Sequence, residues 1–515
     1  LLSVSLLSSC DRSGVSESIA EQVDFSTIII SEIDSEESIF ISKLNVDIHP
    51  DEVTSVRFTI KSKPDAISEE ISATYQIEKI AVGNALEIPI FGLYSDYLNT
   101  VQLDFTFTDN SNSAIEVYIE TGIYADPYDT RIILSATQSN KPSFSYFLLK
   151  SGSDRDETHG WYVPNFPRIM DIDGNIRWVP NLDVDSPYEP KRAATFHNNE
   201  VILMSTTPKP GFIRHKLTGE TVFVPFSNSE FLEGAEYPMS AHHDMQFGRD
   251  GFLIGVDAMY PGDSEITRET IVIEVKQDGE IIKMFDYAAI LSDYMRSMGD
   301  DPSEFVQAAP IDWFHDNSTI YSKSDNSLIT SSRENFVIKI DYDTKEIKWI
   351  FGDITKHWYV NYPSLQLKAI STFEGYPIGQ HSLSLVDDDL LLFNNGVQSM
   401  QNLDGTPPGE RLTTSKVTRY EIDASSMTAK VKWEYDADIF SPFCSSIYKS
   451  DENSSSDYLI NYSVEGFNPA DRTGAASNRI IGLSESKETL FEIIQSSVAC
   501  GTSWNTQIID MSDIR

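Results

Sequence analysis

The chain has 515 residues, with 39 Lys and Arg against 79 Asp and Glu, so its formal net charge is −40. Because 40% of the residues are hydrophobic and only 23% are charged, the chain is too apolar to be a disordered acidic polypeptide, and its length predicts a large multi-sheet domain with a smaller one. Nucleic acid is excluded as a partner, since a basic surface is needed to displace counterions from phosphates and no Lys/Arg-rich run occurs.

The first predicted element is the tail of a secretory signal. An apolar run over residues 1–7 is followed by Ser8, Ser9 and Cys10, which resembles a bacterial lipobox whose cysteine becomes the lipidated first residue. Residues 1–22 are therefore expected to be a signal remnant and linker, with a lipid anchor at Cys10 and a periplasmic or cell-envelope location. The alternative is a disordered apolar N-terminus, and the choice between inner and outer membrane is left open.

Residues 23–129 predict a small antiparallel β-sandwich domain. Within it, residues 55–61 and 100–107 alternate between polar and apolar side chains, which is the period of a strand with one buried face. The segment 126–129 is the predicted boundary to the next domain.

Residues 130–515 predict a six-bladed β-propeller. A polar turn leads six times into an apolar strand that carries an aromatic residue, and these aromatic residues are Trp178, Phe223, Phe285, Trp349, Trp433 and Phe491. A second hairpin precedes most of them, as in 244–256, 318–331 and 383–393, so that each repeat makes a four-stranded sheet. An irregular array of β-sandwiches is the alternative, but it would not repeat this pattern in phase. One short helix is predicted over residues 287–298.

Three histidines occupy the same place in consecutive repeats. His243, His315 and His381 each stand at the beginning of the first strand of a predicted blade. The first strand of a propeller blade is the innermost, and its beginning lines one mouth of the central channel. The three side chains are therefore expected to converge, with His242 as the alternative to His243.

Arg333 directly follows the second strand of the His315 blade, which returns to the same mouth of the channel. A guanidinium presents a fixed fork of donors that suits an anionic oxyanion group. Three histidines could instead hold a metal ion, but a cation beside Arg333 would be repelled. An anion site is therefore favoured, and neither a metal nor a cofactor is expected.

Several motifs together resemble the bacterial arylsulfate sulfotransferases. The residues that carry the resemblance are Asp312-Trp313-Phe314-His315-Asp316-Asn317, the segments 328–333 and 347–352, Gly379-Gln380-His381-Ser382, and, for that family's N-terminal domain, 88–101. The resemblance implies a secreted six-bladed propeller behind a small β-sandwich. It also implies an enzyme that moves a sulfuryl group from a phenolic sulfate ester to a phenol without the nucleotide sulfate donor PAPS.

The same resemblance assigns roles to individual residues. His381 would be the nucleophile that is transiently sulfated in a ping-pong reaction, and the residues that bind the sulfuryl oxygens would be His315, Asn317, Arg333 and His243. Trp313 and Trp358 are weaker candidates for binding the aryl group, with packing in the core as the alternative. The implied partners are small molecules, an aryl sulfate donor and a phenolic acceptor, and a homodimer is left open.

Two other classes of function remain as hypotheses, a non-catalytic propeller that binds partners and a hydrolase of sulfate esters. Hydrolytic sulfatases generally carry a Cys or Ser in a Cys/Ser-x-Pro-x-Arg context, which is absent around Cys444 and Cys500. These two cysteines could form a disulfide or remain two buried thiols, and the sequence does not decide between the two states.

Overall fold

A computed structural model of the chain describes residues 30–33, 38–151, 166–180, 190–205, 209–227, 236–259, 267–306, 312–370, 375–400, 409–451, 456–467, 476–497, 500 and 502–514. The predicted signal remnant with Cys10 lies outside the described residues. Within these ranges, no helix has both the length and the apolar composition that a membrane-crossing helix needs.

The N-terminal part is a sandwich of two antiparallel four-stranded sheets. Its strands are β1 (Ile30–Ile33), β2 (Ile41–Val46), β3 (Val53–Ile60), β4 (Ile71–Gln76), β5 (Ala81–Val82), β6 (Ala85–Phe91), β7 (Leu98–Phe107) and β8 (Asn112–Glu120). The strand orders are β1-β2-β6-β5 and β4-β3-β7-β8. Burial alternates along β7, as the polar and apolar pattern of the sequence requires, and the predicted β-sandwich is confirmed.

The remaining strands build the second part of the molecule. They are β9 (Arg131–Leu134), β10 (Tyr146–Lys150), β11 (Arg168–Asp171), β12 (Ile176–Trp178), β13 (Pro190–His197), β14 (Glu200–Ser205), β15 (Gly211–Lys216), β16 (Thr221–Pro225), β17 (Glu236–Phe247), β18 (Phe252–Met259), β19 (Thr267–Val275), β20 (Ile281–Asp286), β21 (Asp316–Ser322), β22 (Ser327–Ser332), β23 (Phe336–Asp341), β24 (Ile347–Gly352), β25 (Lys368–Ala369), β26 (His381–Val386), β27 (Asp389–Asn394), β28 (Lys416–Asp423), β29 (Thr428–Asp436), β30 (Ser446–Lys449), β31 (Tyr458–Glu465), β32 (Ala476–Leu483), β33 (Thr489–Ser497) and β34 (Asn505–Ile509).

These strands form the six blades of a β-propeller. From the innermost strand outwards, blade 1 is β34-β10-β11-β12, blade 2 is β13 to β16, blade 3 is β17 to β20, blade 4 is β21 to β24, blade 5 is β26 to β29 and blade 6 is β30 to β33. Neighbouring innermost strands contact each other around a closed ring. The six predicted aromatic strands are β12, β16, β20, β24, β29 and β33, the outermost strand of each blade. The predicted fold class is confirmed.

Blade 1 takes its innermost strand from the other end of the chain. Strand β34 pairs antiparallel with β10, with Tyr146 opposite Ile509 and Lys150 opposite Asn505. Two outer edges carry an additional strand, since β9 pairs with β33 and β25 pairs with β29. The ring is therefore closed by backbone hydrogen bonds between segments that lie more than 350 residues apart in the sequence.

In the part of the chain that the structure describes, helices are few. The longest of them is α1 (Tyr287–Ser297), where a helix is predicted over 287–298, and the Asp286 carboxylate caps it by accepting a hydrogen bond from the Ala289 backbone N–H. A shorter helix, α2, spans His357–Asn361, and 3-10 helices span Pro50–Glu52, Ile77–Lys79 and Pro302–Glu304.

A buried guanidinium joins the sandwich to blade 1. Arg177 donates from Nε and Nη2 to the Gly92 carbonyl at 3.0 and 2.8 Å and from Nη1 to Asp171 at 3.1 Å, and its guanidinium carbon lies 3.6 Å from the Tyr94 ring centroid. Gly92 has φ +84°, and a Cβ there would lie 2.5 Å from the Ile71 side chain. Only glycine therefore lets the chain turn so that its carbonyl meets Arg177.

Replacing Arg177 should destabilise the protein strongly. In Arg177→Ala, the Asp171 carboxylate, with none of its side-chain surface exposed, loses its cation, and breaking a buried ion pair from one side costs about 3–5 kcal/mol. The free energy of unfolding from denaturant titration should fall by that amount. The control is Arg296→Ala, whose side chain is 63% exposed and whose loss should change the free energy by less than about 0.5 kcal/mol. Equal effects in the two variants would contradict the structural role of Arg177.

Candidate active site

Three buried histidines of the innermost strands meet, although His243 lies in the second half of its strand and not at the predicted beginning. His243 lies in β17, His315 directly precedes β21 and His381 opens β26. The ring centroids of His243 and His315 are 4.8 Å apart, and those of His243 and His381 are 6.2 Å apart. None of the three residues is more than 7% exposed. The structure thus brings together three histidines that the sequence places at equivalent positions in three consecutive blades.

Local backbone irregularities turn these side chains towards each other. His243 and His315 both have φ +53°, and so does Ser382 next to His381. The strand register shifts after each histidine or its neighbour, by two extra residues between His242 and Met245 and by one extra residue after Asp316 and after His381. A bulge inserts extra residues and changes the direction of its neighbours, so irregularities of this kind occur in blades 3, 4 and 5.

Of the two candidate histidines in β17, His243 is the one whose ring lies against His315 and His381. The side chain of His242 lies outside the described residues, and its backbone pairs with Gly255.

His381 is held in its neutral form. Its Nδ1 atom lies 2.7 Å from Oδ1 of Asn395. Burial lowers the pKa of His381 well below its usual value, and His243, Arg333 and His315 lower it further, whereas the hydrogen bond to Asn395 opposes the shift. The neutral form of the imidazole, which keeps a lone pair for bonding, is therefore favoured.

His315 has an acidic partner instead. Its Nδ1 atom lies 2.5 Å from the Asp312 carboxylate, an arrangement that orients the ring and stabilises its protonated form. A carboxylate beside one histidine and an amide beside the other give the two imidazoles different proton affinities. The geometry therefore suits His315 to holding a proton and His381 to keeping a free lone pair.

Blades 4 and 5 are tied together beside these residues by Gln380. Its Nε2 atom donates to the Ser331 hydroxyl and the Ser332 carbonyl, both at 3.0 Å, and its own carbonyl accepts a 2.7 Å hydrogen bond from Nδ2 of Asn317. The preceding Gly379 has φ +61°, and a Cβ there would lie 2.4 Å from the Val397 carbonyl oxygen. Gly379 and Gln380 thus fix the position of the backbone directly before His381.

Arg333 lies where the sequence predicts it, directly after β22. Its backbone N–H donates to the His315 carbonyl at 3.1 Å, and its guanidinium donates from Nε to Glu334 at 2.8 Å and also from Nη2. Burial would raise the pKa of the Glu334 carboxyl, but Arg333 and hydrogen bonds such as that from Ser399 outweigh burial and hold this pKa below its usual value. The cation of the site is therefore oriented by a buried, ionised carboxylate.

A buried ion pair lies next to the site, since Asp244 follows His243 in the chain. The Nζ atom of Lys150 from blade 1 lies 3.0 Å from the Asp244 carboxylate of blade 3, and both side chains are 2% exposed. The same carboxylate accepts a hydrogen bond from Gln246 at 2.6 Å and lies 3.5 Å from the hydroxyls of Ser318 in blade 4 and Tyr448 in blade 6. Polar contacts thus join groups from four blades beside the site.

The two tryptophans proposed for aryl binding lie in the core of blade 4. Trp313 is 3% exposed and packs on Phe314, with ring centroids 5.3 Å apart. Trp358 packs on Phe336 at 5.3 Å, and its indole N–H donates to Asn335, whose amide donates to the Trp313 carbonyl. Both belong to one buried apolar cluster, so packing is the role that their contacts support.

Sequence reasoning missed Trp504, whose ring centroid lies 5.7 Å from that of His243. Trp504 directly precedes β34, the innermost strand of blade 1. Trp504 therefore stands directly before an innermost strand, as His315 does. The sequence reveals this position only if strand β34 is assigned to blade 1.

The two C-terminal cysteines form a disulfide next to the site. Cys444 and Cys500 are bonded, with Cα atoms 6.2 Å apart. Of the two states that the sequence leaves open, the structure therefore has the disulfide. The Cys444 carbonyl accepts a hydrogen bond from Asn395, and the following residue, Ser445, donates its backbone N–H to the Trp504 carbonyl at 3.1 Å. The crosslink thus braces the backbone that supports Asn395 and Trp504.

Across the described residues, no group of three or more His, Cys, Asp or Glu side chains is arranged to hold a metal ion. The donor set around the three histidines consists of imidazoles and a guanidinium, which suits an anion with several oxygen atoms.

Comparison with known proteins connects this geometry to a family. The sequence profile described as "Arylsulfotransferase (ASST)" matches residues 125–504. The chain belongs to the arylsulfotransferase family. A second profile, "Arylsulfotransferase Ig-like domain", matches residues 42–122, which lie within the sandwich. The predictions of this family and of an enzyme are confirmed, and small-molecule aryl sulfates and phenols are the substrates that membership implies.

Two relatives of this arylsulfotransferase carry the name "Arylsulfate sulfotransferase AssT". The protein from Escherichia coli O6:H1 is 22% identical over 496 residues, which cover 79% of this chain and 81% of that protein. The protein from Lelliottia amnigena is also 22% identical, over 500 residues that cover 80% of this chain and 81% of that protein.

Two solved structures that resemble the chain do so only distantly. A protein of unknown function from Bacteroides caccae has a TM-score of 0.38 at 12% identity, covering 70% of this chain and 98% of its own. BamB from Moraxella catarrhalis has a TM-score of 0.27 at 9% identity, covering 78% and 96%. The assignment of a propeller therefore depends on the six sheets and their closed ring.

Proposed function

We propose that this arylsulfotransferase transfers the sulfuryl group in two steps, through a sulfohistidine at His381. The observation that carries the proposal is the approach of His243 to both His315 and His381, with Arg333 beside them. A sulfate monoester presents a tetrahedral sulfur whose negative charge is spread over three oxygens. Such a group needs one nucleophile in line with the leaving oxygen and several donors around it.

In the first step, the lone pair of His381 forms a bond to sulfur while the bond between sulfur and the aryl oxygen breaks. The bonding electrons leave with the phenolate, which takes a proton from His315. In the second step, the acceptor phenol gives its proton to His315, its oxygen bonds to sulfur, and the electrons of the S–N bond return to His381. Atoms, protons and electrons balance over the cycle, and the kinetics are of the ping-pong type.

The assignment of the proton carrier follows from the partners of the histidines. Asp312 lies against His315 and favours its protonated form, whereas His381 has a pKa held well below its usual value and stays neutral. His243 has no assigned proton transfer here and would bind a sulfuryl oxygen together with Arg333 and the Asn317 amide. Each preorganised donor of this kind typically contributes about 3 kcal/mol to transition-state stabilisation.

Two cations near the site, Arg333 and Lys150, are each paired with a carboxylate, Glu334 and Asp244. Asp312 likewise balances the charge of a protonated His315, so the sulfate ester would be held mainly by directed hydrogen-bond donors. Transfer should accordingly require one histidine to be protonated and another to be neutral, which is the state that Asp312 and the burial of His381 favour.

The requirement for an acceptor separates transfer from the alternatives. With 4-nitrophenyl sulfate as donor, sustained release of 4-nitrophenol should need an added phenol, and the sulfuryl group should be recovered on that phenol. Equal turnover with water alone would indicate a hydrolase. If the folded protein turned over no aryl sulfate, the non-catalytic propeller that binds partners would be the remaining hypothesis.

His381→Asn should abolish transfer without unfolding the protein, because the amide cannot act as a nucleophile while it keeps a similar volume. Rapid mixing of the wild type with donor alone should give a burst of 4-nitrophenol stoichiometric with enzyme, and the variant should give none. The control is His49→Asn, at a cap of a 3-10 helix in the sandwich, which should keep the burst. A stoichiometric burst in His381→Asn would exclude this nucleophile.

Asp312→Asn should weaken the proton transfer by His315 and therefore make the rate more sensitive to the leaving group. With phenyl sulfate, whose phenolate is a poor leaving group, kcat should fall by about 10²-fold. With 4-nitrophenyl sulfate, which needs little protonation, the loss should be smaller. The measurement is kcat for a series of substituted phenyl sulfates, and equal losses across the series would remove His315 as the acid.

A further inference from the structure

We propose that Asn395 is a positioning residue that fixes the proton of His381 on Nδ1 and so directs the lone pair of Nε2 at the sulfuryl group. Asn395 directly follows β27 and has none of its surface exposed. Its side chain contacts the Nδ1 atom of His381 and two backbone carbonyls of the neighbouring blade. The inference depends on the proposed function insofar as it treats His381 as the nucleophile.

The orientation of the Asn395 amide follows from its other contacts. Nδ2 donates to the carbonyls of Ser441 at 2.8 Å and Cys444 at 3.0 Å. The reversed amide would place an oxygen against two carbonyl oxygens, which cannot donate. Oδ1 must therefore face His381, 2.7 Å from Nδ1.

This orientation decides the tautomer of the imidazole. An amide oxygen only accepts hydrogen bonds, so Nδ1 has to carry the hydrogen. In a neutral ring the other nitrogen, Nε2, then keeps the lone pair. An isolated imidazole side chain prefers the opposite tautomer, with the hydrogen on Nε2, in which the nucleophilic nitrogen would be blocked by a proton.

The choice of an amide, and not a carboxylate, has an electrostatic reason. The charged and titratable groups around His381 are His243 and Asp244 from blade 3, His315 with Asp312 and Arg333 with Glu334 from blade 4, Lys150 from blade 1 and Tyr448 from blade 6. A carboxylate at position 395 would favour the imidazolium and so protonate the nucleophile. An amide orients the ring without adding charge.

The carbonyls that hold Asn395 are themselves fixed. Cys444 is half of the disulfide. The Ser415 hydroxyl lies between two carbonyl oxygens, 3.2 Å from that of Ser441 and 3.0 Å from that of Asn395, which share its single hydrogen. The Asn395 amide thus connects the His381 imidazole to a fixed backbone segment between blades 5 and 6.

The test combines a tautomer measurement with kinetics. Protein with ¹⁵N-labelled histidine, with the His381 signal assigned by its loss in His381→Asn, should show a protonated Nδ1 and an unprotonated Nε2. In Asn395→Ala the signal should move towards the Nε2–H tautomer. The kcat for 4-nitrophenyl sulfate should fall roughly 10- to 100-fold, as loss of an orienting partner does at other sites, with KM nearly unchanged.

A second variant tests the charge. Asn395→Asp should raise the pKa of His381 and move the acidic limb of the kcat/KM profile to higher pH, because a carboxylate stabilises the imidazolium. If two neighbouring carbonyls keep this variant from folding, the alanine variant alone decides. The matched control is Asn461→Ala, a fully buried asparagine whose amide donates to Ser463 and Ser503 in blade 6, and it should leave the His381 signal unchanged.

The outcomes separate the two proposals. A tautomer shift together with a fall in kcat supports both. A fall in kcat with an unchanged His381 signal in Asn395→Ala overturns the positioning role of Asn395. A tautomer shift with unchanged kcat supports the hydrogen bond to Asn395 and overturns His381 as the nucleophile.

Discussion

All the chemistry of this arylsulfotransferase depends on one geometric constraint, that the innermost strands of the six blades form a closed ring around one axis. Residues on these strands can therefore meet, however distant they are in sequence. His243, His315 and His381 meet in this way, with ring centroids 4.8 and 6.2 Å apart. Polar groups that are buried require hydrogen-bond partners. The histidines and Arg333 are therefore surrounded by a second layer of polar side chains, formed by Asp312, Asn395, Glu334 and Gln380.

The charge of the molecule has a different meaning at the surface and at the site. A net charge of −40 gives a field that repels a sulfate ester, although salt limits its range to roughly 8–10 Å. Inside, Arg333 and Lys150 are each neutralised by a carboxylate. Selection of the substrate must therefore depend on directed donors and on proton positions more than on an excess of positive residues.

The sequence was sufficient for the parts of the structure that repeat. The turn-plus-aromatic pattern identified the outermost strand of every blade, and the phase of the histidines led to the site. Trp504 escaped because its blade is completed by the distant strand β34, and Asn395 escaped because a lone asparagine carries no chemical signal, although it follows the second strand of its blade as Arg333 does. The partners of His315 and His381, and the Cys444–Cys500 bond, depend on three-dimensional neighbours that spacing alone does not reveal.

The closure of the ring by β34 also has a consequence for the way the chain must fold. Blade 1 is complete only when Asn505–Ile509 pairs with Tyr146–Lys150, so the propeller cannot close until the chain has been synthesised beyond residue 509. Contacts of such long sequence separation are formed slowly, and the open edge of β10 is exposed to misassociation in the meantime. Because Trp504 immediately precedes β34, the segment that closes the ring also brings an aromatic ring against His243.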